Sequence, residues 1–274
     1  METQLRARLA PYERKAKLFG RRRAHQWRTW SAARQRSAPP EALVAVVSSP
    51  RCGGRLLVDY LSSVPGVAFA DEILHPGIPI GYRMRARTRG AVLRHVQRSL
   101  LALPSPICGA KFTFDQLDQQ RIGGEDLLGL RPEPKLIILY RRSLADTFVS
   151  LEAARQKNEW KRRDGSVPFS GSVHVDPAAY RSFAEKVRRD YEQILGQERL
   201  REGAVVIAYE DVVDAAQAVF DDVLFPFLGL GSSPVTAKLK KQIDRPLSSV
   251  VHNYDEVRDL LEGDGGRQDY APRS

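Results

Sequence analysis

The sequence predicts an α/β protein, an open and mostly parallel sheet with helices on both faces, and three observations predict it. Short, largely apolar runs recur at Leu43–Val47, Val67–Phe69, Ile107–Phe112, Leu136–Tyr140 and Ala204–Tyr209. Their apolar residues stand at successive positions rather than alternate ones, as strands covered on both faces require. Between the runs, apolar residues return at spacings of three and four, the period of a helix's inner face. The runs also end in charged or glycine-bearing loops, the punctuation of strand–helix units whose ligands bind at the carboxyl ends of the strands.

The chain has 274 residues and a net charge of +10. That length supports one large core, read here as a single domain over 41–274 behind a basic arm over 1–40. Eleven Lys/Arg and two Glu fall in the arm, which therefore holds nine of the ten net positive charges and leaves the body nearly neutral. Leu5, Leu9, Leu18, Phe19, Trp27 and Trp30 interleave with the arm's basic residues, but Pro11 and Gly20 interrupt any continuous amphipathic helix. Packing against the body or a second subunit ranks first for this arm. A peripheral contact of residues 1–36 with an anionic membrane ranks second, and nucleic acid, held by phosphate attraction without readout, last. Subunit number is left open.

No apolar run is long enough to span a membrane, and no apolar block follows the basic N-terminus as in a secretory signal. Cys52 and Cys108 are too few for a disulfide scaffold, so a reducing, cytoplasmic setting is expected, with the inner membrane face as the arm's second reading. The five histidines make no zinc-binding pattern, and no metal is expected.

Taken in order, Ser37–Pro40 separates the arm from the first unit, LVAVVSSPRCGGRLL over 43–57. It reads strand, tight polar loop, helix, an arrangement that aims backbone N–H groups and the positive end of a helix dipole at the loop. Gly53 and Gly54 permit the turn and close approach of an anion, and Arg51 and Arg55 add fixed charge. This is an oxyanion cradle of phosphate type; an ordinary turn with two wet arginines is the alternative. The helix ends at Pro65-Gly66, and the second strand runs straight into Asp71-Glu72. Residues 73–90 are irregular, a helix carries Val92, Val96 and Leu100, and the third strand holds Lys111. Leu136–Tyr140, the cleanest strand, emerges into Arg141-Arg142-Ser143, with Ser150 two turns into the helix beyond. A polar loop over 161–175, a helix from Pro177 to Leu195, the Ala204–Tyr209 strand ending at Glu210-Asp211, a helix to Leu228 and a polar tail complete the chain. Arg51, Glu72, Lys111, Arg142 and Glu210 leave strands directly and so are the residues expected around a ligand.

Four pieces, in order across residues 44–257, resemble sulfotransferases that use 3′-phosphoadenosine 5′-phosphosulfate (PAPS), and within them the bacterial carbohydrate-type branch of trehalose and Nod-factor sulfotransferases. SSPRCGGRLL is similar to the 5′-phosphosulfate loop, YRRSLADTFVS to the 3′-phosphate motif, GAKFTFDQ to a lysine-bearing strand, and KKQIDRPLSSVVHNYDEV to a later segment of that branch. The loop departs from the family's pattern in carrying Gly54 and Arg55 where hydroxyl residues are usual. The resemblance implies a P-loop-like nucleotide-binding fold and PAPS as sulfuryl donor, without a metal. It places Arg51, Cys52, Gly53, Gly54, Arg55 and Leu56 at the 5′ end of the donor, Arg142 and Ser150 at its 3′-phosphate, and Lys241 with Gln242 over it as a cap.

Sulfuryl transfer to an alcohol needs positive charge on the leaving phosphate, a base for the acceptor's proton, and in-line alignment. Arg51 and the loop N–H groups meet the first need. Lys111 either adds charge or snorkels from its strand end. Glu72 is the chosen base, with Asp71 its competitor and His75, also on the acceptor side, a weaker rival. Arg141 is expected to face away or pair locally. Trp160 offers an aromatic face to a sugar or glycolipid acceptor. A kinase is disfavoured because Gly-x-x-x-x-Gly-Lys-Ser/Thr is absent; a catalytically silent nucleotide-binding protein is the alternative from another class.

Overall fold

Five strands form one sheet in the order β2-β3-β1-β4-β5, and every neighbouring pair is parallel. They are β1 (Ala42–Ser48), β2 (Val67–Ala70), β3 (Ile107–Thr113), β4 (Pro134–Tyr140) and β5 (Ala204–Ala208). The computed structural model describes residues 31, 38–70, 72–75, 88–157, 169–239, 243, 245–263 and 268–270. The expected α/β sheet with helices on both faces is therefore present, and it is wholly rather than mostly parallel. Asp71, Trp160, Lys241, Gln242 and, apart from Ser31, the arm over 1–36 lie outside the described residues.

Alternation along β1 divides the core in two. Leu43, Ala45 and Val47 enter one cluster with Phe112, Ile138 and Tyr191. Val44 and Val46 enter the other with Leu57, Leu61, Ile137 and Phe220. Each such fully buried aliphatic side chain contributes about 1.5–3 kcal/mol, which is why the strands are apolar at successive positions.

The helices are α1 (Gly54–Leu61), α2 (Arg89–Leu101), α3 (Phe114–Gln120), α4 (Leu144–Lys157), α5 (Pro177–Leu195), α6 (Tyr209–Val219) and α7 (Tyr254–Glu262), with shorter turns between some of them. α5 starts where Pro177 follows Asp176, whose carboxylate accepts the Ala178 N–H at 2.8 Å. Its Tyr180, Ala184, Val187, Tyr191 and Ile194 are buried along one stripe. α6 kinks at Ala215 (φ −146°, ψ 52°) and continues through a π-helical turn, Phe220–Leu224, to Leu228, so the helix predicted there is one segment with two irregularities. Ile73 and Leu74 are fully buried, anchoring the start of the stretch read as irregular.

All five strands end at one edge of the sheet, with Ser48 of β1 in register with Thr113 of β3 and Leu139 of β4. From β1 the chain crosses first to the β3–β2 side and later to the β4–β5 side. The crevice opens where these crossovers diverge.

Candidate active site

The loop from β1 to α1 turns through two left-handed residues, Arg51 (φ 67°) and Gly53 (φ 78°). Backbone of this kind turns successive N–H groups into one concavity, a form suited to anions. A non-glycine residue at Arg51's φ costs on the order of 1–3 kcal/mol, strain that clusters at ligand-holding turns. Gly53 is required twice over. Its φ excludes most side chains, and a Cβ there would lie 2.0 Å from Cδ2 of Tyr209. Gly53 is also the N-cap of α1 and supplies no side-chain acceptor to the helix's first N–H groups.

Arg51 reaches across the crevice, and its Nε donates to Oγ of buried Ser150 on α4 at 3.1 Å. The first loop and the Arg-x7-Ser stretch, 99 residues apart in sequence, thus meet at one point. Burial first, and then the neighbouring Arg141 charge, push the Arg51 guanidinium down from its ordinary value. Arg141 takes the second of its two expected arrangements, a local pair. It is buried, its guanidinium lies 5.0 Å over the Tyr209 ring that packs on Gly53, and Asp146 (3.5 Å) and Glu210 (3.9 Å) flank it. Two cations crowd one crevice, while Arg141 Nε and the buried hydroxyls of Ser48 and Ser49 have no hydrogen-bond partner among the described residues. Buried polar atoms in that state mark a place for a ligand's acceptors.

Arg142 turns the other way. Its guanidinium forms a bidentate pair with Asp211 at 2.7 and 2.9 Å, and its backbone N–H donates to Glu210 at 3.0 Å. The Asp211 hydrogen bonds raise its pKa further above the ordinary arginine value. The structure therefore brings Arg51 and Ser150 together but gives Arg142 a carboxylate partner on α6.

Glu72, just beyond β2, contacts Lys111 Nζ at 2.6 Å through one carboxylate oxygen and accepts from Gln116 Nε2 at 3.1 Å through the other. Burial alone would raise this carboxyl, but Lys111, with His75 and Arg55 behind it, outweighs burial and holds it below the usual glutamate value. Lys111 is buried in β3 rather than snorkelling to solvent. Its stem passes Gly54, where a Cβ would lie 2.8 Å from Lys111 Cδ and 3.0 Å from Ser48 Oγ. The glycine where the family carries a hydroxyl residue is thus the gap through which Lys111 runs. His75 is exposed, and its N–H donates to the Glu72 carbonyl at 3.1 Å. Cys52 is fully buried, with Tyr191 Oη 3.7 Å from its Sγ, and burial pushes the thiol up. What the loop offers an anion at Cys52 is therefore backbone. Leu56 packs against the second core cluster.

Three contributors, Gln116, Tyr191 and Asp211, were not picked out as site residues from the sequence. Gln116 sits on α3, a helix that the sequence analysis passes over. Its signal was present: Thr113 and Gln116 form the ends of a capping box, and Gln116 Oε1 accepts the Thr113 N–H at 3.3 Å. Tyr191 and Asp211 carry no local signal, because their partners lie elsewhere in the chain. Asn253, in the later resembling segment, is structural here: its side-chain amide pairs with both N–H and C=O of Val175, each at 2.9 Å. Among the described residues no group of three His, Cys, Asp or Glu stands placed to hold a metal ion.

No protein-family model matches the sequence, and no curated protein matches it. Solved structures similar to this one include a sulfotransferase from Alicyclobacillus acidocaldarius, 18% identical, covering 76% of this chain and 87% of that one at TM-score 0.44. The sulfotransferase domain from the curacin biosynthetic pathway is 15% identical, with 87% and 95% coverage and TM-score 0.45. Mouse sulfotransferase SULT7A1, complexed with PAP, is 14% identical, with 75% and 65% coverage and TM-score 0.40.

Proposed function

We propose that this protein is a PAPS-dependent O-sulfotransferase, acting on a hydroxyl of a sugar, glycolipid or related metabolite. The observation that carries the reading is the Arg51–Ser150 contact, which joins a strained, uncapped anion loop to the Arg142–Ser150 stretch across one crevice. The donor would supply an activated sulfuryl group, with the loop and Arg51 at its 5′ end and Ser150 and Arg142 at its 3′-phosphate. The residues fit such a ligand, since Arg141 Nε and the Ser48 and Ser49 hydroxyls, which make no hydrogen bond among the described residues, are donors that a phosphate's oxygens satisfy.

Arg142 reaches an anion by sharing or releasing Asp211. Both side chains are more than a third exposed, at 38% and 45%, and such pairs are worth only about 0–1 kcal/mol. A phosphate dianion competes at that cost. Glu72, kept ionised by Lys111, is the group to take the acceptor's proton, and Lys111 supplies positive charge beside the loop. Gln116 fixes the carboxylate's orientation from its far side.

Isothermal calorimetry with 3′-phosphoadenosine 5′-phosphate in the absence of magnesium tests the donor. Micromolar binding by the intact chain, lost in Arg142→Ala, is expected; tight binding of ATP with magnesium instead would favour a kinase. Glu72→Gln is expected to keep nucleotide binding and to lower transfer of labelled sulfate to a hydroxylated acceptor by roughly 10²- to 10⁴-fold, the usual contribution of a positioned base. Full transfer by Glu72→Gln removes it as the base.

A further inference from the structure

We infer that Gln268, Asp269 and Tyr270, acting through Tyr191, brace both halves of the anion crevice, and that Tyr191 is a positioning residue for the donor loop; the inference rests on the donor reading above. Tyr191 is wholly buried on α5, and a buried phenol needs partners for its hydroxyl. Here those partners are backbone groups at two strand ends. Its hydroxyl accepts the Ser49 N–H at 3.1 Å and donates to the Leu139 carbonyl at 2.7 Å, with Cys52 Sγ 3.7 Å away. One hydroxyl therefore sets the spacing between the exit of β1, where the loop begins, and the end of β4, where the arginines begin.

The Tyr191 ring is itself held from two sides. Phe114 meets it edge-on at 5.0 Å, and Tyr270 stacks on it at 5.0 Å with planes 29° apart. Tyr270 also meets Tyr140 edge-on at 5.4 Å, and the Tyr140 hydroxyl donates to the Asp269 carboxylate. Beside them, Gln268 N–H donates to the Arg142 carbonyl at 2.9 Å and its Nε2 to the Arg141 carbonyl at 2.8 Å. These carbonyls lie beyond the last β4–β5 pair, Tyr140 with Ala208, so the sheet no longer fixes them. Of three consecutive residues, Gln268 thus grips the backbone of both arginines directly, Asp269 holds the Tyr140 hydroxyl, and Tyr270 reaches the loop that carries Arg51 through the stacked Tyr191 ring. Neither grip touches the crevice itself; both set where its walls stand.

The test uses the full chain with Tyr191→Phe, which keeps the ring stack and removes the hydroxyl, and Gln268→Ala, which removes the side-chain contact to the Arg141 carbonyl. Hydrogen–deuterium exchange of the peptide over 48–57 reads the loop directly, binding of 3′-phosphoadenosine 5′-phosphate reads its consequence, and thermal melting checks the fold. Expected are cooperative melts, loop exchange faster by about tenfold or more, and nucleotide binding weakened by about tenfold. Loop exchange unchanged in both variants overturns the brace, whatever the nucleotide does. Failure of the intact chain to bind the nucleotide overturns the donor reading instead, while faster loop exchange in the variants still upholds the brace. Should Tyr191→Phe fail to fold, Tyr270→Leu, which removes the stacked ring, carries the loop test.

Discussion

Glu72 stands between two roles, base and ion-pair partner, and its surroundings decide the balance. The Lys111 contact is largely buried, with side-chain exposures of 10% and 20%. Removing one member of such a pair strands the other's charge, a cost of about 3–5 kcal/mol. The shift runs downward, so Glu72 stays ionised to lower pH than a free glutamate. Its contribution to stability is present above the unfolded-state value, near 4.3, and is lost only as pH falls through the lower folded one. The acid limb of a kcat/KM profile is therefore expected to lie below about 4.3, the ordinary glutamate value. Lys111→Met leaves burial unopposed by its strongest counter-charge, so that limb should move to higher pH; an unmoved limb would show that Lys111 does not govern Glu72. Of this pair, both members were legible, Glu72 because it follows the end of β2 and Lys111 because it is a charge within the last residues of the otherwise largely apolar β3. Their contact was not, since strand order is needed to put β2 beside β3. The passage of Lys111 through the gap at Gly54 was equally hidden, and it turns a departure from a familiar motif into a packing requirement.

Among elements, the β1–α1 turn concentrates the constraints. Gly53→Ala places a side chain at φ 78° and into the Tyr209 ring. The left-handed backbone alone costs roughly 1–2 kcal/mol, and the collision adds to it. A lowered Tm by thermal denaturation, together with loss of nucleotide binding, is expected; a variant with unchanged Tm and affinity would mean that Tyr209 swings clear and the turn tolerates a Cβ. Strands and long helices could be read from sequence because their signal is local: successive apolar residues for β1 and β4, a buried stripe and an Asp176-Pro177 start for α5. The helix α3 was missed because seven residues hold too few turns for a period to register. Gln268 and Tyr270 were missed for another reason. Nothing in a glutamine or a tyrosine far along a polar tail announces that it will cap the exit of a strand more than a hundred residues earlier.

Charge separates the whole molecule into a basic arm and a nearly neutral body. Within that body Arg51, Arg141 and Lys111 gather at one edge of the sheet, with Glu72 on Lys111 and Asp146 and Glu210 beside Arg141. Deleting residues 1–36 is expected to weaken association with anionic liposomes in a flotation assay and to leave nucleotide affinity unchanged. Liposome binding that survives the deletion assigns the arm to packing instead. Among the described residues no helix is long and apolar enough to cross a bilayer.

The central place of β1 has a consequence for how the chain is made. Ala42 pairs with Ile107 and Leu43 with Pro134, so the strand that launches the loop is not flanked on both sides until the ribosome has delivered both later partners. During synthesis the loop emerges early and waits, its arginines unplaced, while sequence-distant pairings of this kind form slowly. The sheet around the loop should accordingly be completed late and abruptly in a nascent chain, once β4 docks and the second flank closes.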